Sequence, residues 1–211
     1  MRRHKVVMVL AAAAALWCAA PLATGRAAPA GVAGAAAAAA AGAAGTWRAA
    51  IEVPGTGGLN KGGNAAVQSV SCASAGNCAA GGLFTDGSGH IQAFVASEAN
   101  GIWHAAIEVP GTAALNKGGF ATVSSVSCAS AGNCLAGGSY FAAEADIQAF
   151  VASETNGTWH AAIEVPGTAA LNIGRSADVM SVSCTSAGSC AAGGSYTDRS
   201  GHQQAFVASQ T

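Results

Sequence analysis

From Thr46 onward the chain repeats itself with a period of 56 residues, and this periodicity constrains its fold more than any local propensity. Trp47, Trp103 and Trp159 mark the same phase, as do Ile51–Gly55, Ile107–Gly111 and Ile163–Gly167, each reading Ile-Glu-Val-Pro-Gly. Ser-Val-Ser-Cys recurs at Ser69–Cys72, Ser125–Cys128 and Ser181–Cys184, and Ala-Phe-Val-Ala-Ser at Ala93–Ser97, Ala149–Ser153 and Ala205–Ser209. The copies run over residues 46–101, 102–157 and 158–211. Repeated units of this kind bury their apolar faces against neighbouring copies.

The middle copy carries four strand signals. In Trp103–Val109 the odd positions are apolar and His104 and Glu108 share the other face, until Pro110-Gly111 ends the run. Further strands are predicted over Val123–Cys128, Cys134–Tyr140 and Ile147–Glu154, the last closed by the turn dipeptide Asn156-Gly157. Ile147, Ala149 and Val151 face one way and Phe150 and Ala152 the other, so this strand is apolar on both faces, as between two neighbouring sheets. Ser, Ala and Gly in the two middle strands let sheets approach closely. The expected fold is all-β, with three 56-residue four-stranded repeats arranged as β-propeller-like blades. A β-trefoil-like three-fold arrangement is the alternative, although trefoil copies are usually shorter and the sequence has no Gln-x-Trp element.

Taken together, Ser-Val-Ser-Cys, Gly-Asn-Cys, Ala-Phe-Val-Ala-Ser-Glu and Asn-Gly-Thr-Trp resemble the disulfide-containing propeller-type repeats of uncharacterised secreted proteins from high-GC Gram-positive bacteria. The resemblance spans residues 46–211. It implies an extracellular propeller and carries over no catalytic residue. Ser153–Trp159 superficially suggests the Asp-box of sialidases, but it is one residue short and has no Asp in the turn. Three blades are fewer than the four to eight that close a ring. Two chains related by a two-fold axis would close six, so a homo-oligomer is expected to cover blade faces carrying residues such as Phe150 and Val151.

Arg2, Arg3 and Lys5 precede the apolar run Val6–Ala20, and Ala28-Pro29-Ala30 supplies a small-x-small site, so residues 1–30 read as a signal peptide. Cys18 leaves with it. Residues 31–45, almost entirely Ala and Gly, read as a linker. The protein is expected to be secreted, with no membrane association once the signal is removed. Its nine Lys and Arg against ten Asp and Glu provide no field for phosphates, which argues against nucleic acid as a partner. A composition 51% apolar and only 9% charged is the reverse of a disordered chain.

Six cysteines remain, at Cys72/Cys78, Cys128/Cys134 and Cys184/Cys190, with one spacing throughout. In an exported chain this argues for a disulfide within each copy, across a hairpin. Zinc is the alternative, but its cysteine pairs are usually separated by two to four residues. No metal and no cofactor is expected. Glu52, Glu108 and Glu164 share one phase, and identical copies do not supply the two different environments that a glycosidase needs. His104 and His160 are matched by Arg48, so a three-His metal site is incomplete.

The copies differ most between the third and fourth strand signals, at Thr85–His90, Phe141–Asp146 and Thr197–His202. A second variable patch holds Asn64, Phe120 and Arg175. Candidate ligand-binding residues are Asp86, His90, Glu144, Asp146, Asp198, Arg199 and His202. They point to a non-enzymatic scaffold binding an extracellular or cell-wall partner, carbohydrate or protein. The rivals are a propeller-type hydrolase of glycans, needing two of Glu144, Asp146, Asp178 and Asp198 in one cleft, and an assembly module joined through open blades.

Overall fold

The computed structural model describes residues 45–210, and Arg48 onward forms one compact unit. The expected signal peptide and nearly all of the expected linker lie outside the described residues. Each repeat builds an antiparallel meander. In the first sheet β1 (Ala65–Ser74), β2 (Asn77–Thr85) and β3 (Ile91–Ala99) pair in order, and β4 (Ile102–Trp103) and β5 (Ile107–Glu108) share the free edge of β3. The second sheet repeats this with β6 (Ala121–Ser130), β7 (Asn133–Ala143), β8 (Asp146–Thr155), β9 (Thr158–Trp159) and β10 (Ile163–Glu164). The third contains β11 (Ala177–Ser186), β12 (Ser189–Thr197) and β13 (Gln203–Ser209), and no described residue pairs with the outer edge of β13.

The hairpins follow from the sequence. Cys72 lies opposite Cys78, Cys128 opposite Cys134 and Cys184 opposite Cys190, with Cα atoms 3.9–4.0 Å apart and a disulfide across each pair. The strands continue past the cysteines to Ser74 and Asn77, so the turn narrows to Ala75-Gly76, with Gly76 at φ 72°. A seven-residue loop closed in this way removes about 2 kcal/mol of chain entropy from the unfolded state. Three intramolecular disulfides fit an oxidising compartment. Among the described residues no helix is long and apolar enough to cross a membrane.

The strand expected over Trp103–Val109 is broken into β4 and β5. Between them the backbone turns outward, His104 N donating to Ser97 O and Ala106 N to Pro54 O of the preceding repeat. The opening run of each copy thus completes the sheet of the copy before it. A single helical turn that the periodicity does not predict then follows: α1 (Thr56–Leu59), α2 (Thr112–Leu115) and α3 (Thr168–Leu171). Thr112 holds it in place, its hydroxyl donating to Val109 O at 2.7 Å and to Glu108 Oε1 at 3.3 Å.

Successive sheets stack face to face, β1 against β6 and β6 against β11. A Cβ at Gly81 would fall 2.5 Å from Val123 Cγ1 and 2.9 Å from Val126 Cγ2, and one at Gly137 equally close to Val179 and Val182. The missing side chains are the space those valines occupy. All four valines are buried, as are Phe94 and Phe150. Each such side chain contributes about 1.5–3 kcal/mol on leaving water. Phe150, expected at an open face, lies wholly inside, and Val151 is partly buried, because both belong to the middle repeat. The open faces instead expose Val67, Val70 and Val207. Among the described residues the three sheets close into neither a barrel nor a ring.

Gly82, Gly138 and Gly194 meet a different constraint, because a Cβ there would run into the carbonyl oxygen of Ala66, Thr122 and Asp178 respectively. Gly138→Ala is therefore expected to force β6 and β7 apart and to cost about 1–3 kcal/mol, measured as a shift in the midpoint of chemical unfolding.

Candidate functional site

The loops that vary between copies gather on one rim, opposite the disulfide-bearing hairpins. Sheet-to-sheet hydrogen bonds fix their spacing, Ile91 N donating to Gly119 O and Ile147 N to Arg175 O. Buried Asn116 ties the same junction: its Nδ2 donates to Ile91 O and Gln92 Oε1, and its Oδ1 accepts from Phe120 N. Asn172 repeats the arrangement in the next repeat. Sequence reasoning passed over these asparagines, although Leu-Asn recurs at Leu59-Asn60, Leu115-Asn116 and Leu171-Asn172.

Asp86 and Asp198 organise their own loops. Asp86 Oδ1 accepts from Ser88 N and His90 N and its Oδ2 from Gln92 Nε2, and Asp198 does the same with Ser200, His202 and Gln204. The Gln92 hydrogen bond is the largest influence holding the Asp86 carboxyl below its ordinary range; for Asp198 it is the backbone amide of His202. Their acceptor atoms are thus engaged within the loop, and His90, His202 and Arg199 are exposed there together with Ser88 and Ser200. His90 Nδ1 and His202 Nδ1 sit 4.0 and 3.9 Å from the aspartates. Asp146 instead accepts from Gln148, and Glu144 is exposed beside it.

Backbone strain singles out the same rim. Arg175 has φ 63° and Ala145 φ 58°, left-handed values that side chains rarely adopt. Arg175 stands where the other copies have Gly63 and Gly119, and Ala145 where they have Gly89 and Gly201. Arg175 is therefore not the counterpart of Asn64 and Phe120; Ser176 is. The remaining left-handed non-glycine residues, Asn100 and Asn156, form Asn-Gly turns on the opposite rim, where asparagine is tolerated. Next to the strained residues, the Phe120 and Phe141 rings pack with centroids 5.1 Å apart, and His90 lies against Gly119.

Two carboxyl groups lie deeper. Glu154 is 3% exposed, its Oε1 accepting the Ser97 hydroxyl at 2.6 Å and its Oε2 buried without a partner. Trp159 Nε1 donates to the same Ser97 hydroxyl at 3.0 Å. Burial pushes the Glu154 carboxyl upward. Asp178 is raised for the same reason, against the opposing influence of the Ser139 and Ser124 hydroxyls. Glu108 is raised by burial as well, and Tyr140 is pushed up to about 12, first by burial and then by Glu164 and Asp146. Asp178 lies against the second sheet's serines, whereas Asp146 and Asp198 bind within their own loops. Among the described residues no three His, Cys, Asp or Glu side chains are grouped to hold a metal ion.

No family model matches the sequence, and no curated protein matches it.

Because the folded-state affinity of Glu154 for a proton exceeds that of the unfolded chain, its ionisation opposes folding. The favourable contribution is complete below the ordinary glutamate value of 4.5 and is lost as pH rises through the raised one. Glu154→Gln keeps the acceptor for Ser97 and copies Gln210, the residue at this position in the third repeat. Its melting temperature is expected to exceed that of the parent at neutral pH, with the difference closing below pH 4.5, as followed by calorimetry across pH.

Proposed function

We propose that the protein is a secreted, non-enzymatic scaffold of propeller-type blades that holds an extracellular or cell-wall partner on its variable rim. The observation that carries this reading is the pair of left-handed non-glycine residues, Arg175 and Ala145, at positions where the other copies have glycine. A left-handed residue with a Cβ costs roughly 1–2 kcal/mol. The other left-handed non-glycine residues, Asn100 and Asn156, are asparagines in Asn-Gly turns, so strain on residues poorly suited to it lies on this rim, which supports a functional origin. The framework itself is held constant around this rim by the 56-residue repeat.

The rim offers an aromatic pair, Phe120 and Phe141, with His90 against the neighbouring Gly119 and with Glu144 and Arg175 exposed in the same set of loops. An apolar face edged with charge suits a sugar ring or a protein side chain better than a phosphate backbone. The engaged acceptors of Asp86 and Asp198 favour a supporting role for these two residues, with His90, His202 and Arg199 making outward contacts. A glycan hydrolase would need two carboxyl groups facing one bond, one of them raised. Of the three raised carboxyl groups, Glu154 accepts from Ser97, Asp178 from serines of the second sheet and Glu108 from Thr112, and none belongs to the variable loops.

Arg175→Gly separates function from stability. It is expected to stabilise the fold by about 1 kcal/mol through relief of the left-handed backbone, and at the same time to weaken co-sedimentation with purified cell-wall sacculi. Phe120→Ala should weaken that binding too. Unchanged binding in both variants would move the site off this rim.

A further inference from the structure

The two ends of the sheet stack carry complementary halves of an interface that already occurs twice inside the chain. Between the first and second sheets, Gly81 receives Val123 and Val126; between the second and third, Gly137 receives Val179 and Val182. The corresponding glycine of the third sheet, Gly193, faces open space, with no atom nearer than 3.7 Å to an added Cβ and none from another sheet. At the other end of the stack, Val67 and Val70, which correspond to the buried valines, are 42% and 56% exposed. At each internal junction serine hydroxyls also accept amides of the next sheet: Ser69 and Ser71 accept from Val126 N and Cys128 N, and Ser125 and Ser127 from Val182 N and Cys184 N. Ser181 and Ser183 have the same phase on the open third sheet, awaiting the amides of Val70 and Cys72.

The edges match in the same way. β5 pairs Ile107 with Val95 and Glu108 with Phe94, and β10 pairs Ile163 with Val151 and Glu164 with Phe150. By the same register Ile51 and Glu52 belong opposite Val207 and Phe206, yet Arg48–Val53 form no strand and, among the described residues, β13 has no outer neighbour. Ile51 is 67% and Val207 87% exposed. Pro54, hydrogen-bonded to Ala106 on the edge of the first sheet, directs this segment toward a sheet stacked on the far side of the first, which the chain's own third sheet does not occupy.

A cavity of about 200 Å³ completes the correspondence. It lies between the second and third sheets, lined by Leu135, Val151, Ser153, Cys190, Ala192 and Ala208 among others. The equivalent volume between the first and second sheets is filled by the Trp159 ring, which packs with Ala79, Val95, Cys134, Ala136 and Ala152 and donates to Ser97. Trp47 has the phase of Trp159, and Ser153 that of Ser97.

We propose that a second copy of this chain docks its first sheet on the open third sheet, adds Arg48–Val53 as the missing edge strand of β13, and seats Trp47 in the cavity with its indole nitrogen donating to Ser153. Two copies exchanging this contact reciprocally bring six sheets into one closed ring, within the four to eight that such rings contain. The proposal rests on the sheet-to-sheet contacts alone and is independent of any ligand on the rim.

Sedimentation analysis of the purified chain at micromolar concentration is expected to give a species of two chains. Gly193→Val places its side chain in open space in one copy but against Val67 and Val70 of the other; it should leave the far-UV spectrum unchanged and the protein monomeric. Trp47→Ala, which lies outside every sheet, should likewise abolish the two-chain species. A monomeric parent, a dimer indifferent to both substitutions, or an open-ended series of larger species overturns the proposal.

Discussion

The structure depends on a valine pair from one sheet fitting over a glycine of the sheet before it. Gly81 accommodates Val123 and Val126, and Gly137 accommodates Val179 and Val182. Any side chain at these glycines would separate the sheets, and with them the serine hydroxyls that receive the amides of Val126 and Val182. The adjacent Gly82 and Gly138 set a second distance, between the strands of one hairpin, because the carbonyls of Ala66 and Thr122 occupy the place of a Cβ. Stacking distance and strand spacing are thus both fixed by Gly-Gly, and the valines supply the buried apolar area.

A stack of this kind has no self-sufficient unit. The edges of the first and second sheets are supplied by the opening residues of the following repeat, and the Trp159 ring from one sheet reaches the serine of another. The core is correspondingly shared, one cluster running from Ala79 through Val123 to Trp159. The disulfides act more locally, closing hairpins whose strands are rich in small residues and have little apolar volume of their own. On the variable rim, Asn116, Asn172 and backbone hydrogen bonds tie neighbouring sheets, so the loops themselves differ without disturbing the stack.

Much of this was legible in the sequence. The period, the strands around Val123, Cys134 and Ile147, the cysteine partners and the close approach permitted by small residues all follow from residue pattern. The sheet to which Trp103–Val109 belongs did not, since a repeat can be cut at any phase and only the hydrogen bonds to Ser97 and Pro54 assign the segment. Glu154 is equally opaque: Glu98 and Gln210 share its phase, and burial arises from the neighbouring sheet rather than from its own strand. On the rim, Asp86 and Asp198 resemble ligand groups in the sequence until their acceptors are traced to Ser88, His90, Ser200 and His202. Arg175 reads as an ordinary surface cation, and only its backbone angle distinguishes it.

The edge strands of the second and third repeats belong to the sheet preceding them, and the proposed two-chain ring extends this to the first. Val109 N donates to Ala93 O and Val165 N to Ala149 O, while His104 N and His160 N donate to the carbonyls of Ser97 and Ser153. Hydrogen–deuterium exchange resolved to single amides reads the remaining instance directly. Arg48 and Val53 should be protected, through bonds to Ser209 and Ala205 of a second copy, to a degree that falls on dilution together with the protection of Val70. Exchange of Arg48 and Val53 at the rate of an unstructured peptide at every concentration, while His104 and Val109 stay protected, would contradict it.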